Sequence, residues 1–196
     1  MDFAGKEAED EEIIQALADG NDSALNRLIE KYQKPLFAFL YRFLQNETDA
    51  VDLAQECFVR IYQHRHNFDS KRRFTTWMFQ IASNLAKDRA RWRSRHPEAS
   101  ADAEENLLAE LPSPGAAPDA DLLRQETGEA VSRAISKLPE DLRLPLILSQ
   151  YESRSHREIA EILGCSPKAV ETRIYRAKQL LRKDLASFFN DASEPV

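Results

Sequence analysis

The chain has 196 residues and a net charge of −6, and its apolar content of 42% is that of a soluble globular protein. No apolar run reaches the length of a membrane span, which excludes membrane insertion. The acidic amino terminus lacks the basic-then-apolar pattern of a secretory signal, so we expect a cytoplasmic protein.

The negative charge lies mainly outside the two segments that the sequence predicts to fold. Residues 1–25 carry −7 and 96–125 carry −6, whereas 26–95 carry +7 and 126–189 carry +2. Because the local field steers a polyanion, the net charge does not exclude nucleic acid as a partner. Cys57 and Cys165 lie too far apart for a zinc motif, and we predict neither a metal site nor a cofactor.

The helix predicted over Asp49–Gln63 has an acidic outer face. Its apolar residues Leu53, Cys57 and Ile61 share the inward side, as their spacing of four requires. An exposed valine flanked by carboxylates favours a protein-docking surface, although an ordinary solvated helix face is the alternative. The outward row consists of Asp52, Glu56, Val59 and Gln63.

The segment Asn67–Arg93 combines cations with aromatic rings. A polar loop ending in Lys71, Arg72 and Arg73 precedes a helix whose predicted buried stripe includes Phe74, Trp77, Met78, Ile81, Ala82 and Leu85. Cations that follow a backbone and rings on which bases stack are typical of single-stranded DNA binding; a solvated helix end is the alternative. The predicted outward residues are Thr75, Thr76, Gln80, Asn84, Lys87 and Arg91.

Residues 96–125 have the composition of a linker, with four prolines, several alanines and a high acidic content. We predict an all-α protein in which two small helical bundles, 1–95 and 126–190, are joined by this flexible acidic linker. A short helix is predicted at Asp102–Leu108.

A helix-turn-helix signature occupies His156–Arg176. Gly164 is placed to end the first helix in a left-handed cap, after which Ser166 caps the second helix and Pro167 fills its first position. Such a second helix enters the major groove of DNA, whereas the alternative is a helical hairpin with a polar outer face. The predicted buried residues are Val170, Ile174, Ala177 and Leu181, and the predicted outward ones are Lys168, Glu171, Thr172, Tyr175, Arg176 and Gln179.

Three motifs, in order, resemble those of bacterial extracytoplasmic-function (ECF, group 4) sigma factors of the sigma-70 family. They are Asp49–Phe58, Phe74–Asn84, and Leu138–Arg143 followed by the helix-turn-helix. The resemblance implies a non-enzymatic protein that binds core RNA polymerase through its β and β′ subunits, recognises the −35 and −10 elements of promoter DNA and helps to open the duplex. It also implies regulation by an anti-sigma factor.

The resemblance assigns each motif a role. The first domain would be sigma-2-like and the second sigma-4-like, and Glu171 departs from the family pattern, which leaves its base preference open. The implied polymerase-binding residues are Asp49, Asp52, Gln55, Glu56 and Val59. Those implied for the −10 strand are Asn67, Phe68, Lys71, Arg72, Arg73, Thr76, Asn84, Lys87 and Arg91. Those implied for the −35 element are Lys168, Glu171, Thr172, Arg173, Tyr175 and Arg176.

Two other functions fit parts of the sequence. A one-component regulator would sense a ligand with its first bundle and bind an operator as a dimer. A protein-interaction module would use the acidic face to bind another regulator and would need no DNA. An enzyme fits less well, because the sequence has no phosphate loop or nucleophile constellation.

Overall fold

A computed structural model describes residues 3–96 and 118–191, with side chains over 9–96 and 127–186. These residues form eight α-helices, one short 3-10 helix and no strand, which confirms the predicted all-α class. The helix predicted at Asp102–Leu108 lies outside the described residues. The helices of the first domain are α1 (Phe3–Ala18), α2 (Ser23–Leu44), α3 (Glu47–Gln63), the 3-10 helix Arg65–Asn67 and α4 (Phe74–Arg95). Those of the second domain are α5 (Pro118–Ser136), α6 (Glu140–Gln150), α7 (His156–Leu163) and α8 (Pro167–Asp191).

The acidic amino-terminal segment is part of the fold. Its helix α1 places Ile13, Ile14 and Leu17 in the core, each at most 2% exposed. Asp10 is also buried, and its carboxylate accepts a hydrogen bond from the Lys31 ammonium at 2.6 Å on α2. A buried carboxylate needs such a partner, and with it the acidic segment can pack against the rest of the domain.

The helix-turn-helix has the end signals predicted at Gly164 and Ser166, together with a capping box at Ser155 that was not predicted. The Ser155 side chain accepts from the Glu158 amide while the Glu158 side chain accepts from the Ser155 amide, a capping box at the start of α7. Gly164 ends α7 with φ of 65°, and Ser166 Oγ accepts from the Ala169 amide at 3.2 Å at the start of α8. These local bonds fix the turn between the two helices.

Helix α5 begins within the segment whose composition is that of a linker. Helix α5 starts at Pro118, so residues 118–125, which the composition assigns to the linker, are helical. Alanine and leucine are good helix formers, and acidic residues and proline suit the first turn of a helix. Low apolar content therefore did not exclude a helix here.

The two domains pack against each other. Arg143 of α6 extends between them and donates to the Phe43 carbonyl at 2.9 Å, in the last turn of α2, while its guanidinium lies 5.4 Å from the Phe43 ring. The same guanidinium donates to the Leu138 carbonyl at 2.7 Å and to the Ser136 carbonyl at the end of α5. One cation thus satisfies carbonyls at two helix ends in two domains.

Candidate polymerase and DNA interfaces

The exposed face of α3 carries the predicted acidic row. Asp52, Gln55 and Val59 are exposed, and the Val59 side chain is among the most exposed large apolar groups of the described residues, at 47%. Glu56 is half-buried and forms an ion pair with Arg60 at 2.8 Å, one helical turn away. The row therefore has an apolar residue and carboxylates available on one side of the helix.

Asp49, which the family resemblance assigned to polymerase binding, is instead buried within the domain. It is 6% exposed, its carboxylate forms an ion pair with Arg93 at 2.8 Å, and its other oxygen accepts from Arg89. The Asn46 side chain caps α3 by accepting from the Asp49 amide at 2.8 Å. The Asp49 carboxylate therefore holds the start of α3 against the end of α4. Its two partner arginines lie forty or more residues further along the chain.

A cleft of about 420 Å³ lies beside the acidic row, between α3 and the carboxyl-terminal turns of α4. Trp92, 42% exposed, and Asp88 line it opposite Asp52 and Glu56. Trp92 is not among the residues predicted for any of the interfaces. Its position seven residues after Leu85 continues the apolar stripe of α4, and that spacing was the signal that it faces α3.

The loop before α4 rests on a cluster of aromatic rings. Phe68 lies 5.3 Å from Trp77 and 6.4 Å from Phe74, and Tyr32 of α2 lies 5.6 Å from Phe74, measured between ring centroids. Phe68 and Trp77 are half-buried, so they have ring surface at the edge of the domain. Of the loop residues implied for the −10 strand, Asn67, Lys71 and Arg73 are exposed, and Arg72 is half-buried.

The outward face predicted for α4 is largely covered. Thr75 is 6% exposed and Thr76 only 1%, so the expectation that both point outward is wrong. Thr75 accepts a hydrogen bond from Arg154 Nη1 at 2.8 Å, and the same guanidinium lies 5.2 Å from the ring of buried Phe79. Helix periodicity within the first domain cannot reveal this burial, because Arg154 comes from the second domain.

Cations from both domains meet further along α4. Lys87 is half-buried, and its pKa lies below the ordinary lysine value, first because of burial and then because of the charges of Arg91 and Arg173. Arg173 belongs to the helix-turn-helix, so residues implied for the −10 and −35 elements are neighbours here. Asn84 and Arg91 are exposed on the same helix.

The outer face of α8 matches the prediction. Val170, Ile174 and Ala177 are buried, and Tyr175 is 64% exposed. A hydrogen bond from Lys168 to the Glu171 carboxylate at 2.9 Å, together with the Lys168 charge, holds the pKa of Glu171 below its usual value. Of the predicted −35 set, Arg173 is half-buried and the exposed members are Lys168, Glu171, Thr172, Tyr175 and Arg176.

Comparison with known proteins identifies two regions of one family in this chain. Residues 28–96 match the family model of sigma-70 region 2, and residues 128–181 match that of sigma-70 region 4. The chain is 33% identical over 192 residues to the RNA polymerase sigma-H factor of Pseudomonas aeruginosa, an alignment that covers 94% of this chain and 97% of the relative. It is 32% identical over 178 residues to the ECF sigma factor SigW of Bacillus subtilis, with 88% and 94% covered.

Solved structures have the same fold. CnrH, solved in complex with the cytosolic domain of CnrY, is 26% identical, with a TM-score of 0.65 and coverage of 94% of this chain and 99% of CnrH. The sigma factor RpoE of Bartonella quintana, solved with the anti-sigma factor NepR, is 22% identical with the same TM-score, over 82% of this chain and 96% of RpoE. The chain therefore belongs to the ECF sigma factors of the sigma-70 family, which direct RNA polymerase to promoters.

Proposed function

We propose that the acidic row of α3 is the surface that binds core RNA polymerase. The observation that carries this proposal is exposed Val59 on the same face as Asp52 and Glu56, beside the cleft that contains Trp92. Hot spots combine an apolar or aromatic anchor with a charged rim that sets orientation, and this face supplies both. Asp49 is left out of the surface, and its role is to hold α4 against α3.

The loop and α4 would hold the opened −10 strand. Lys71, Arg72 and Arg73 supply cations for the phosphates, and Asn67 and Asn84 supply amides that can pair with base edges. The ring cluster beneath the loop would support an unstacked base. Thr76 is too deeply buried to contact the strand in this arrangement of the two domains.

The exposed face of α8 would read the −35 element in the major groove. Arg176 and Tyr175 would contact base edges or phosphates, and the exposed Glu171 carboxylate, whose pKa lies below its usual value, would accept from cytosine N4. We therefore expect at least one cytosine opposite Glu171 in the preferred −35 sequence. Lys168, which pairs with Glu171, would contact the adjacent phosphate.

A regulatory protein partner also follows by analogy. CnrH and the Bartonella RpoE were both solved with protein partners, NepR being an anti-sigma factor, and we propose that an anti-sigma factor covers the α3 row of this chain. Such a partner should compete with core polymerase for the protein. The site of action would be the cytoplasm, where polymerase and chromosome are found.

The test is reconstitution with sigma-free core polymerase. The wild-type protein should co-elute with core and start transcription at discrete sites on genomic fragments. Asp52→Ala with Glu56→Ala should weaken core binding about tenfold or more without changing the unfolding midpoint. The matched control replaces two exposed glutamates elsewhere, Glu12→Ala with Glu30→Ala, and should bind core normally. Equal losses in both double variants would refute the docking assignment.

A further inference from the structure

The acidic helix α1 is connected to the ring cluster beneath the loop by one tyrosine. The Asp10 carboxylate, only 2% exposed, accepts a hydrogen bond from the Tyr32 hydroxyl of α2. The Tyr32 ring in turn lies 5.6 Å, between centroids, from the ring of Phe74 at the start of α4. Helix α1 also packs against the 3-10 helix and against α4, the two elements that flank the loop. Two contacts therefore join an amino-terminal carboxylate to the proposed strand site.

Phe74 is the ring that joins Tyr32 to the surface of the cluster. It is 1% exposed, and its centroid lies 6.3 Å from that of Trp77 and 6.4 Å from that of Phe68. Phe68 and Trp77 are the half-buried members, whose ring surface is available to a base. Because a packed interior has few voids, a shift of Tyr32 passes to Phe74 and from there to these two rings.

The hydrogen bond between Tyr32 and Asp10 holds the tyrosine ring firmly. A hydroxyl that donates to a carboxylate makes a stronger bond than two neutral groups do. The carboxylate is itself anchored, because it also accepts from the Lys31 ammonium at 2.6 Å. Burial of Asp10 keeps water from replacing either bond. Tyr32 is thus held at its hydroxyl by Asp10 and at its ring by Phe74.

We infer that Asp10 and Tyr32 are positioning residues that, through Phe74, hold the half-buried rings of the cluster in the orientation that an unstacked base of the −10 strand requires. The inference rests on the proposed role of the ring cluster in supporting such a base. A surface that already has its bound arrangement loses less conformational freedom when the ligand binds. The acidic helix α1 therefore contributes to strand recognition without touching the strand.

A merely structural role of the pair has a different consequence. A loss of stability lowers the folded fraction, so the binding of every DNA falls by the same factor. A loss of ring orientation lowers only the part of the affinity that the base contributes. We define the base penalty as the factor by which affinity falls when one base is removed from the DNA. The base penalty separates the two roles, because a change in folded fraction cancels from it.

The experiment measures the base penalty with holoenzyme formed from core polymerase and the full-length chain. The probe is a forked promoter DNA from one of the start sites found by reconstitution, with its −10 non-template strand unpaired. Each unpaired base is replaced in turn by an abasic site. The base that lies against the rings is the one whose penalty falls in Phe68→Ala. For the wild-type protein we expect a penalty of roughly tenfold there, because stacking of a base on an aromatic ring contributes about that factor.

Tyr32→Phe removes the hydroxyl and retains the ring. We expect it to reduce the base penalty about two- to fivefold, which is the contribution of one hydrogen bond. The matched control is Tyr62→Phe, which removes a hydroxyl that donates to Asp22 at 3.2 Å elsewhere in the first domain. This control should leave the base penalty at the wild-type value.

Variants of Asp10 test whether both residues act through the same bond. Asp10→Leu should reduce the base penalty as much as Tyr32→Phe does, and the double variant should lose no more than either single variant. Asp10→Asn retains an oxygen that can accept from the Tyr32 hydroxyl, so it should keep most of the wild-type penalty. Urea denaturation of each variant reports the accompanying change in stability.

Two results would overturn the inference. One is a wild-type base penalty in Tyr32→Phe, including the case in which its affinities for intact and abasic DNA fall by the same factor. The other is an equal reduction in Tyr62→Phe, because the loss of any tyrosine hydroxyl would then have the effect. Failure of the proposed function is recognised separately, since Phe68→Ala would then change the penalty of no base in a holoenzyme that still starts transcription.

Discussion

Replacing Arg143 by methionine should destabilise the whole protein. The Arg143 side chain donates to three carbonyls, those of Phe43, Ser136 and Leu138, and its stem packs at the junction of the two domains. Burial lowers the pKa of the guanidinium from its ordinary value. Methionine keeps an unbranched apolar side chain in place of the Arg143 methylene groups and removes every donor. The change in stability therefore measures the contribution of the hydrogen bonds.

The size of the expected loss in stability follows from the three carbonyls that lose their donor when Arg143 is replaced. A hydrogen bond from a charged donor contributes roughly 1.5–3 kcal/mol when its acceptor is shielded from water, and about 1 kcal/mol where water can replace it. Arg143 is only half-buried, so the lower value applies to each of the three carbonyls. We expect a loss of about 3 kcal/mol in the free energy of unfolding.

Urea denaturation followed by circular dichroism measures this loss. With a slope of about 2 kcal/mol per molar urea, the midpoint should fall by about 1.5 M. Arg157→Met is the control, because Arg157 is exposed on α7, and its midpoint should stay within the equivalent of about 0.5 kcal/mol. A loss below about 1 kcal/mol for Arg143→Met would refute the reasoning, since water would then serve the carbonyls as well as the guanidinium does.

Three further predictions test local features. Gly164→Ala should lower the free energy of unfolding by about 1 kcal/mol, measured by urea denaturation, because φ at this position is +65°. An unchanged free energy of unfolding would contradict the need for glycine at this cap. The lowered pKa of Glu158 adds stability above its ordinary pKa of 4.5, and this is lost as pH falls through the lower folded value; wild-type and Glu158→Gln midpoints should therefore converge in acid. Burial raises the pKa of Cys57 to about 12, so a thiol reagent should modify Cys165 alone in the native protein and both cysteines in denaturant.

The sequence predicts the helix-turn-helix well because its signals are local. Gly164 and Ser166 act within three or four residues of their own positions, and the stripe from Val170 to Ala177 needs only helical phase. A single sequence contains all of that information.

The misplaced residues share a different cause. Thr75 and Asp49 are buried by partners far along the chain, Arg154 in one case and Arg89 with Arg93 in the other. Helical phase gives the side of a helix on which a residue lies, but it does not tell what packs against that side. Contacts between residues far apart in the chain, within a domain or between domains, are therefore the part of the candidate site that sequence patterns miss.

The acidic composition of the amino terminus obscures the sequence signal for helix α1. Ile13, Ile14 and Leu17 have helical spacing, yet the surrounding glutamates and aspartates suggest a solvated tail. The Asp10 carboxylate accepts from Lys31 and Tyr32, so the compensating charge, that of Lys31, lies on the next helix. An acidic segment with even three apolar residues in phase can therefore belong to the core.

The hydrogen bond between Arg154 and Thr75 joins residues 79 positions apart, and this separation becomes a delay during synthesis. A ribosome adding about 5–20 residues per second needs about 4–16 s to reach Arg154 after Thr75 has been made. Throughout that interval a nascent first domain has its α4 face uncovered. The speed of translation through the intervening segment therefore sets how long each new molecule remains open before its second domain covers that face.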